Sequence, residues 1–258
     1  MDEGHRSFNR DSLTHHSLRR IARRLNELQV PYAVAGGMAL FHHGYQRFTS
    51  DVDILVTREG LETIHARLSG LGYLPPFSQS KHLRDTESGV KIEFLITGDF
   101  PGDGKPKPIA FPDPASVSVE EEGIRFLSLP TLIELKLASG MTNAARGKDL
   151  VDVQELIQTL ALPLDFSVQL HPFVRGRFID IWSVVHAVQR RYLLQLPTHD
   201  ATAELLAAMQ ADGIAIDSQR SGDTNAVVLA TDDAALAAKY GMVPEEDFWP
   251  DNSGRAGG

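Results

Sequence analysis

Apolar residues along the chain recur in two periods, and the switch between them marks the elements. Leu18, Ile21, Leu25 and Leu28 fall at steps of three and four, which predicts an amphipathic helix over "SLTHHSLRRIARRLNELQV". Its outer face carries Arg19, Arg20, Arg23 and Arg24, either a solvated surface or one that faces an anion. "PYAVA" is a short apolar run of the buried-strand kind, broken by Gly36 and Gly37, and "MALFHHG" fits a short helix closed by Gly44. "DVDILV" and "VKIEFLI" read as strands, with "REGLETIHARLSGLG" between them as a helix stopped by Gly70 and Gly72. "FPGDGKPKPIAFPDP" is too rich in Pro and Gly to be anything but loop. "LPTLIELKLASGM" and "GKDLVDVQELIQTL" predict two helices joined around 143–147, and "HPFVRGRFIDIWSVVHAVQRRYLLQL" predicts a third that opens at Pro172. The texture changes near 195–200. "DATAELLAAMQADG" reads as a helix, "IAIDSQ" and "TNAVVLAT" as a hairpin, "DDAALAAKYG" as a last helix and "DNSGRAGG" as a frayed tail.

This order implies an α+β or α/β head followed by a helical part. Composition narrows what such a chain does. Hydrophobic residues make up 42%, enough for a proper core. A net charge of −9 argues against broad, non-specific binding to nucleic acid, though not against a local basic groove. The absence of cysteine excludes disulfides and thiolate metal sites. The polar start "MDEGHRSFNRD" has no apolar signal core, and no apolar run approaches the roughly 20 residues that a membrane span needs. These features predict a soluble cytoplasmic protein with no membrane partner.

The charges on the two strands ask for an explanation. Alternation puts Asp51, Asp53 and Leu55 on one face of "DVDILV", and Lys91, Glu93 and Leu95 on one face of "VKIEFLI". If the strands are neighbours, three carboxylates converge, and they repel one another unless a cation sits among them. An all-oxygen donor set selects a hard ion, most simply Mg²⁺, and such a cluster is a phosphoryl-transfer site. The alternative for a bare Asp-x-Asp is an exposed edge strand with solvated acids. Gly36 and Gly37, between a strand and a helix, have the local arrangement that cradles a phosphate on backbone N–H groups. A lone glycine pair is usually just a turn. This one lies about 14 residues before the Asp-x-Asp, with a basic residue between, and that spacing carries more weight.

Other charged positions admit two readings each. Arg47 suits a phosphate or a surface acid. Lys136, in the otherwise apolar "LIELKLA", either snorkels or reaches the site. Lys148 is spaced for a helix pair with Asp152. His42 and His43 are adjacent on a helix, point apart and make poor joint ligands; Phe178 and Trp182, four apart, read as core.

The run "AGGMALFHHGYQRFTSDVDILV" resembles the signature of the DNA polymerase β-type nucleotidyltransferase superfamily: a glycine pair at a helix start, Asp-x-Asp on the next strand, and a third acid on a later strand. With Arg47, Thr49 and the aspartates in one run, it looks most like the minimal nucleotidyltransferases and the AbiEii-type toxins. "IELKLASGMTNAARGKDLVDVQEL" resembles the helical segment of those proteins, with Lys148, Asp149 and Asp152 in its Lys-Asp-x-x-Asp run, so the likeness spans about residues 20–190. It implies an α+β fold, a mixed sheet with flanking helices and then a helical part; beyond about 198, outside the likeness, the pattern reads as a small C-terminal α+β unit. The expected divisions are a catalytic head over 1–128, a helical part over 129–197, an appendage over 198–250 and a tail over 251–258. It further implies Asp51, Asp53 and Glu93 as the catalytic and metal-binding acids, Mg²⁺ as cofactor, and Gly36, Gly37, Arg47, Thr49, Lys136 and Lys148 as the nucleotide-binding set. The superfamily often has Gly-Ser where this chain has Gly36 and Gly37, and often Asp where it has Glu93. The expected activity moves a nucleoside monophosphate from a nucleoside triphosphate to an acceptor that the sequence does not name: a small molecule, a protein or RNA. The alternatives are a non-catalytic nucleotide-binding module, which retention of all three acids disfavours, and the toxin of a toxin–antitoxin pair, which would have an antitoxin partner.

Overall fold

The computed structural model describes residues 12–78, 80–186, 192–197, 200–220 and 226–248. The chain divides into two compact units, Met1–Val185 and His186–Gly258. The first unit runs α1 (Leu13–Glu27), β1 (Tyr32–Val34), α2 (Gly36–His42), β2 (Asp51–Val56), α3 (Arg58–Leu68), β3 (Tyr73–Leu74), β4 (His82–Asp85) and β5 (Lys91–Ile96). It continues with α4 (Pro114–Val117), β6 (Ser118–Glu121), β7 (Ile124–Leu127), α5 (Leu129–Thr142), α6 (Gly147–Thr159) and α7 (Pro172–Val185). Its seven strands form one mixed sheet in the order β3-β4-β5-β2-β1-β7-β6, so the fold is the expected α+β arrangement. β2 lies parallel to β5 on one side and antiparallel to β1 on the other.

Strand alternation decides what each face of this sheet meets. Val52, Ile54, Val56, Ile92, Phe94 and Ile96 pack with Leu18, Ile21 and Leu25 of α1 and Ile64 and Leu68 of α3. Leu55, Ala33 and Leu127 pack instead with α5, α6 and α7. Asp51 and Asp53 share Leu55's face, so the packing of α1 and α3 turns them toward the helical side. α1 starts where its pattern predicts, because the Ser12 hydroxyl accepts from the His15 N–H.

Besides the short strands β3 and β4, which the sequence pattern does not mark, two features differ from it. The β6–β7 hairpin is hidden because β6 is an exposed edge rich in Glu; its turn is carried by Glu122 and Gly123, both at positive φ. The helix expected from 171 onward ends at Val185, and Tyr192–Pro197 is instead β8, a strand of the second unit. β8 pairs with β10 (Ala226–Thr231) and β11 (Val243–Pro244), which is why the compact units divide before residue 186 and not near 197. That unit has a four-stranded sheet, β11-β8-β10-β9, with β9 at Ala215–Arg220. α8 (Asp200–Ala211), α9 (Ala234–Tyr240) and α10 (Glu245–Phe248) complete it. The expected hairpin is present as β9 and β10, and α9 ends at Gly241 with φ +64°. The tail over 251–258 lies outside the described residues. Among the described residues, no helix is long and apolar enough to cross a membrane.

Candidate active site

Parallel pairing of β2 with β5 sets Asp51 beside Lys91 and Asp53 beside Glu93. One carboxylate oxygen from each of Asp51, Asp53 and Glu93 falls within 4.8 Å of the others. Lys91 Nζ, on the same strand face, lies 2.5 Å from Glu93 Oε2. One lysine does not offset three acids, and Asp53 registers the excess. Burial, and then the charges of Asp51 and Glu93, push its carboxyl up to about 7 against the pull of Lys136 and Arg146. Three oxygen donors short of positive charge suit a divalent cation.

That excess has a measurable consequence. The folded protein keeps a proton on Asp53 up to about pH 7, whereas the unfolded chain releases it near 3.8. The stabilising contribution is therefore complete below the lower value and lost as pH rises through the upper one, on the order of 4 kcal/mol at most. The metal-free protein is expected to melt at a lower temperature at pH 8 than at pH 5. Millimolar MgCl₂ is expected to raise the melting temperature more at pH 8, where the carboxylate is free. Thermal scans with chelator that show no fall between these pH values would contradict the reading.

Gly36 closes one side of the cluster. Its φ is +58°, and a Cβ built there would lie 1.8 Å from Asp53 Oδ2. The backbone reinforces the approach, since the Ala35 N–H donates to the Asp53 carbonyl at 2.8 Å. At Gly37 a Cβ would lie 2.6 Å from Thr49 Cβ. Both glycines are thus required by the close approach of the Asp-x-Asp strand and the segment before it. Gly36→Ala is expected to lower stability by about 1–2 kcal/mol from the left-handed backbone alone, and to cut activity further because the Asp53 carboxylate has to move. A Gly36→Ala protein with full activity would show that the carboxylate position is not critical.

Thr49 donates from Oγ1 to Asp51 Oδ1 at 3.0 Å. Lys136 does not snorkel: it is 6% exposed and its Nζ donates to Asp152 Oδ2 at 2.6 Å and Asp149 Oδ1 at 3.1 Å. Ser139 Oγ adds a bond of 2.6 Å to Asp149, and Arg47 Nε lies 3.1 Å from Asp152 Oδ1, an ion pair without hydrogen-bond alignment. Asp152 therefore pairs with Lys136 and Arg47, not with Lys148 as helix spacing predicts. Lys148 has no ion pair among the described residues and lines the central cavity. That cavity of about 460 Å³ also takes in Gly36, Asp51, Asp53, Glu93, Arg47, Phe48, Thr49, Lys136, Arg146 and Asp149, with Leu95, Phe111 and Leu132 as apolar wall. Arg146, Ser139 and Phe48 had no role in the sequence reading; the only hint for Arg146 is its place beside Lys148 in "ARGKD".

The remaining candidates lie outside this cavity's lining. His42 stacks on Phe126 with ring centroids 4.1 Å apart, and His43 Nε2 sits 2.8 Å from the Leu127 carbonyl. Burial lowers both imidazoles below their ordinary range. Phe178 is core, and Trp182 packs beside it, donating to the Leu162 carbonyl at 2.8 Å. On α1, Arg20 bonds Asp85 at 2.6 Å and pairs with Glu87, while Arg23 and Arg24 reach Glu27.

A family model described as "Uncharacterised nucleotidyltransferase" matches residues 4–170, more than half of the chain. The chain belongs to this nucleotidyltransferase family. The matched segment of the nucleotidyltransferase contains the three acids, both glycines and the α5–α6 network. All of α7 and the whole second unit lie beyond it. Curated proteins include no match to this chain. Among solved structures, the enzyme is similar to a Thermotoga maritima protein assigned as a nucleotidyltransferase, at 26% identity over 52% of this chain and 88% of that one, TM-score 0.38. It is also similar to an antigenic nucleotidyltransferase-like protein from Paracoccidioides brasiliensis, at 18% identity over 69% and 89%, TM-score 0.44. A third is ANT(2″)-Ia in complex with adenylyl-2″-tobramycin, at 13% identity over 65% and 97%, TM-score 0.39.

Proposed function

We propose that this enzyme transfers a nucleoside monophosphate from a nucleoside triphosphate to an acceptor hydroxyl or phosphate, with Mg²⁺ held by Asp51, Asp53 and Glu93. The observation that carries the reading is the convergence of three carboxylates within 4.8 Å, in a cavity that also holds Arg146 and Lys148. Bound Mg²⁺ would neutralise charge on the transferring phosphate and the leaving oxygens. Where the acceptor is a hydroxyl, Glu93 takes its proton as the oxygen bonds to the α-phosphorus; a phosphate acceptor attacks through an oxygen that is already ionised. The bond from the α-phosphorus to the bridging oxygen breaks, and pyrophosphate leaves. Lys148 and Arg146 meet the triphosphate as point and fork donors. The first N–H groups of α2, at Gly36 and Gly37, have no partner within their helix and supply further donors. Thr49 orients Asp51. Arg47 and Lys136, held by Asp149 and Asp152, act on the nucleotide through the shape of the site.

The test is incubation with each nucleoside triphosphate carrying α-labelled or γ-labelled phosphate, with MgCl₂ and a metabolite, protein or RNA extract. The α-label is expected in the acceptor and the γ-label in pyrophosphate, both lost in Asp51→Asn. Transfer of the γ-label to acceptor would overturn the reading in favour of a kinase.

For the acceptor, the arginines of α1 favour a small molecule or a protein hydroxyl over RNA. Arg20, Arg23 and Arg24 are engaged by acids of this chain, which leaves Arg19 as the one of the four without an ion pair among the described residues, little free charge for a polyanion. The run from Arg47 to Asp53 supports a place near the minimal and AbiEii-type enzymes. The toxin role and its antitoxin partner would involve the same chemistry in the cytoplasm.

A further inference from the structure

We infer that Phe48 is the platform on which the base of the bound nucleoside triphosphate stacks, an assignment that rests on the nucleotidyl-transfer reading of the same cavity. Phe48 lines that cavity yet is 51% exposed. It belongs to neither hydrophobic core of its unit, whereas Phe111, the other phenyl ring on the wall, packs against the core beneath α5 and α6. The other apolar residues of the wall, Leu95, Phe111, Leu127, Leu132 and Leu135, belong to the core or pack against it, whereas this large ring is left half in water and outside both cores.

Its backbone is nonetheless well held. Arg47 on one side is tied to Asp152, and Thr49 on the other is tied through its hydroxyl to Asp51. The Thr49 carbonyl also accepts from Thr14 Oγ1 at 3.3 Å. The ring is thus presented from a held segment, half exposed on the cavity wall. Its reach from the chemistry leaves room for a nucleoside. Phe48 precedes Asp51 by three residues, and three residues of extended chain reach about 10 Å at most. The α-phosphate must lie at the acids, and its base hangs one sugar away. Stacking accepts any base, because each has a π-face, and favours the larger purines by area. Phe48 would therefore supply affinity with weak base selectivity.

The test is titration calorimetry on the full chain with MgCl₂, using the α,β-methylene analogues of the four ribonucleoside triphosphates, which cannot turn over, and inorganic tripolyphosphate. Wild type is expected to bind the analogues more tightly than tripolyphosphate. Phe48→Ala should weaken the best-bound analogue by about 10-fold or more, on the scale of lost base–aromatic stacking, and leave tripolyphosphate unchanged. Phe48→Tyr should keep wild-type affinity, and Phe48→Leu should fall between. Unchanged affinity of Phe48→Ala for every analogue overturns the assignment, and so does an equal loss on tripolyphosphate; either result leaves nucleotidyl transfer standing. Wild-type protein that binds neither the analogues nor tripolyphosphate would overturn the transfer reading, and this assignment with it.

Discussion

Asp53→Asn is expected to reduce nucleotidyl transfer by at least about 10²-fold, the scale of losing one preorganised charge-stabilising group, while making the metal-free protein more stable above pH 7. The two effects have one cause. Asp53 is driven to about 7 by burial and by its acidic neighbours, so without a cation its charged form is held at a cost. An amide removes that cost and, with it, a donor that Mg²⁺ needs. Asp51→Asn should show the same loss of transfer. Coupled to the loss, the rise in melting temperature that MgCl₂ gives to wild type at pH 8 should shrink. Near wild-type activity in either variant, or a lower melting temperature for metal-free Asp53→Asn at pH 8, would remove the acids from the centre of the mechanism.

Lys136→Met should produce the largest fall in stability. Asp152 is 1% exposed, and Lys136 bonds both it and Asp149. Removing one member of a buried charged group leaves the others without compensation, at about 3–5 kcal/mol. Arg47 still faces Asp152 and Ser139 still bonds Asp149, which favours the lower end of that range. The double variant Lys136→Met with Asp152→Asn should recover part of the loss, because the stranded charge goes with its partner. Chemical denaturation of the single variants and the double variant tests this. A Lys136→Met protein within about 1 kcal/mol of wild type, the ordinary cost of a substitution, would show that α5 and α6 do not depend on the network.

Much of this molecule could be read from spacing alone. The step of three and four in α1 and the alternation in β2 and β5 are local properties, set by backbone geometry and by which side chains avoid water. They suffice to place Asp51 and Asp53 on one strand face and Glu93 on another. They do not say that β5 lies beside β2, across a helix and two other strands, with Asp53 level with Glu93. That register comes from closing a sheet whose strands are distant in sequence, and a slip of one residue would send Glu93 to the other face. The same limit explains β8. "YLLQLP" alternates, but it follows an uninterrupted helical pattern, and only pairing with β10 and β11 makes it a strand. It explains Lys136 and Lys148 as well. Spacing within one helix offers Asp152 to Lys148, while the packing of α5 against α6 brings Lys136 to it. The sequence by itself determined the longer helices, the strands β1, β2 and β5, the shared face of Asp51 and Asp53 and the kind of chemistry, because these follow from local geometry and residue type. Only the tertiary structure decided which charges meet, why residue 36 has no room for a side chain, and which aromatic ring stands free at the cavity, because each depends on contacts between segments that no local pattern encodes.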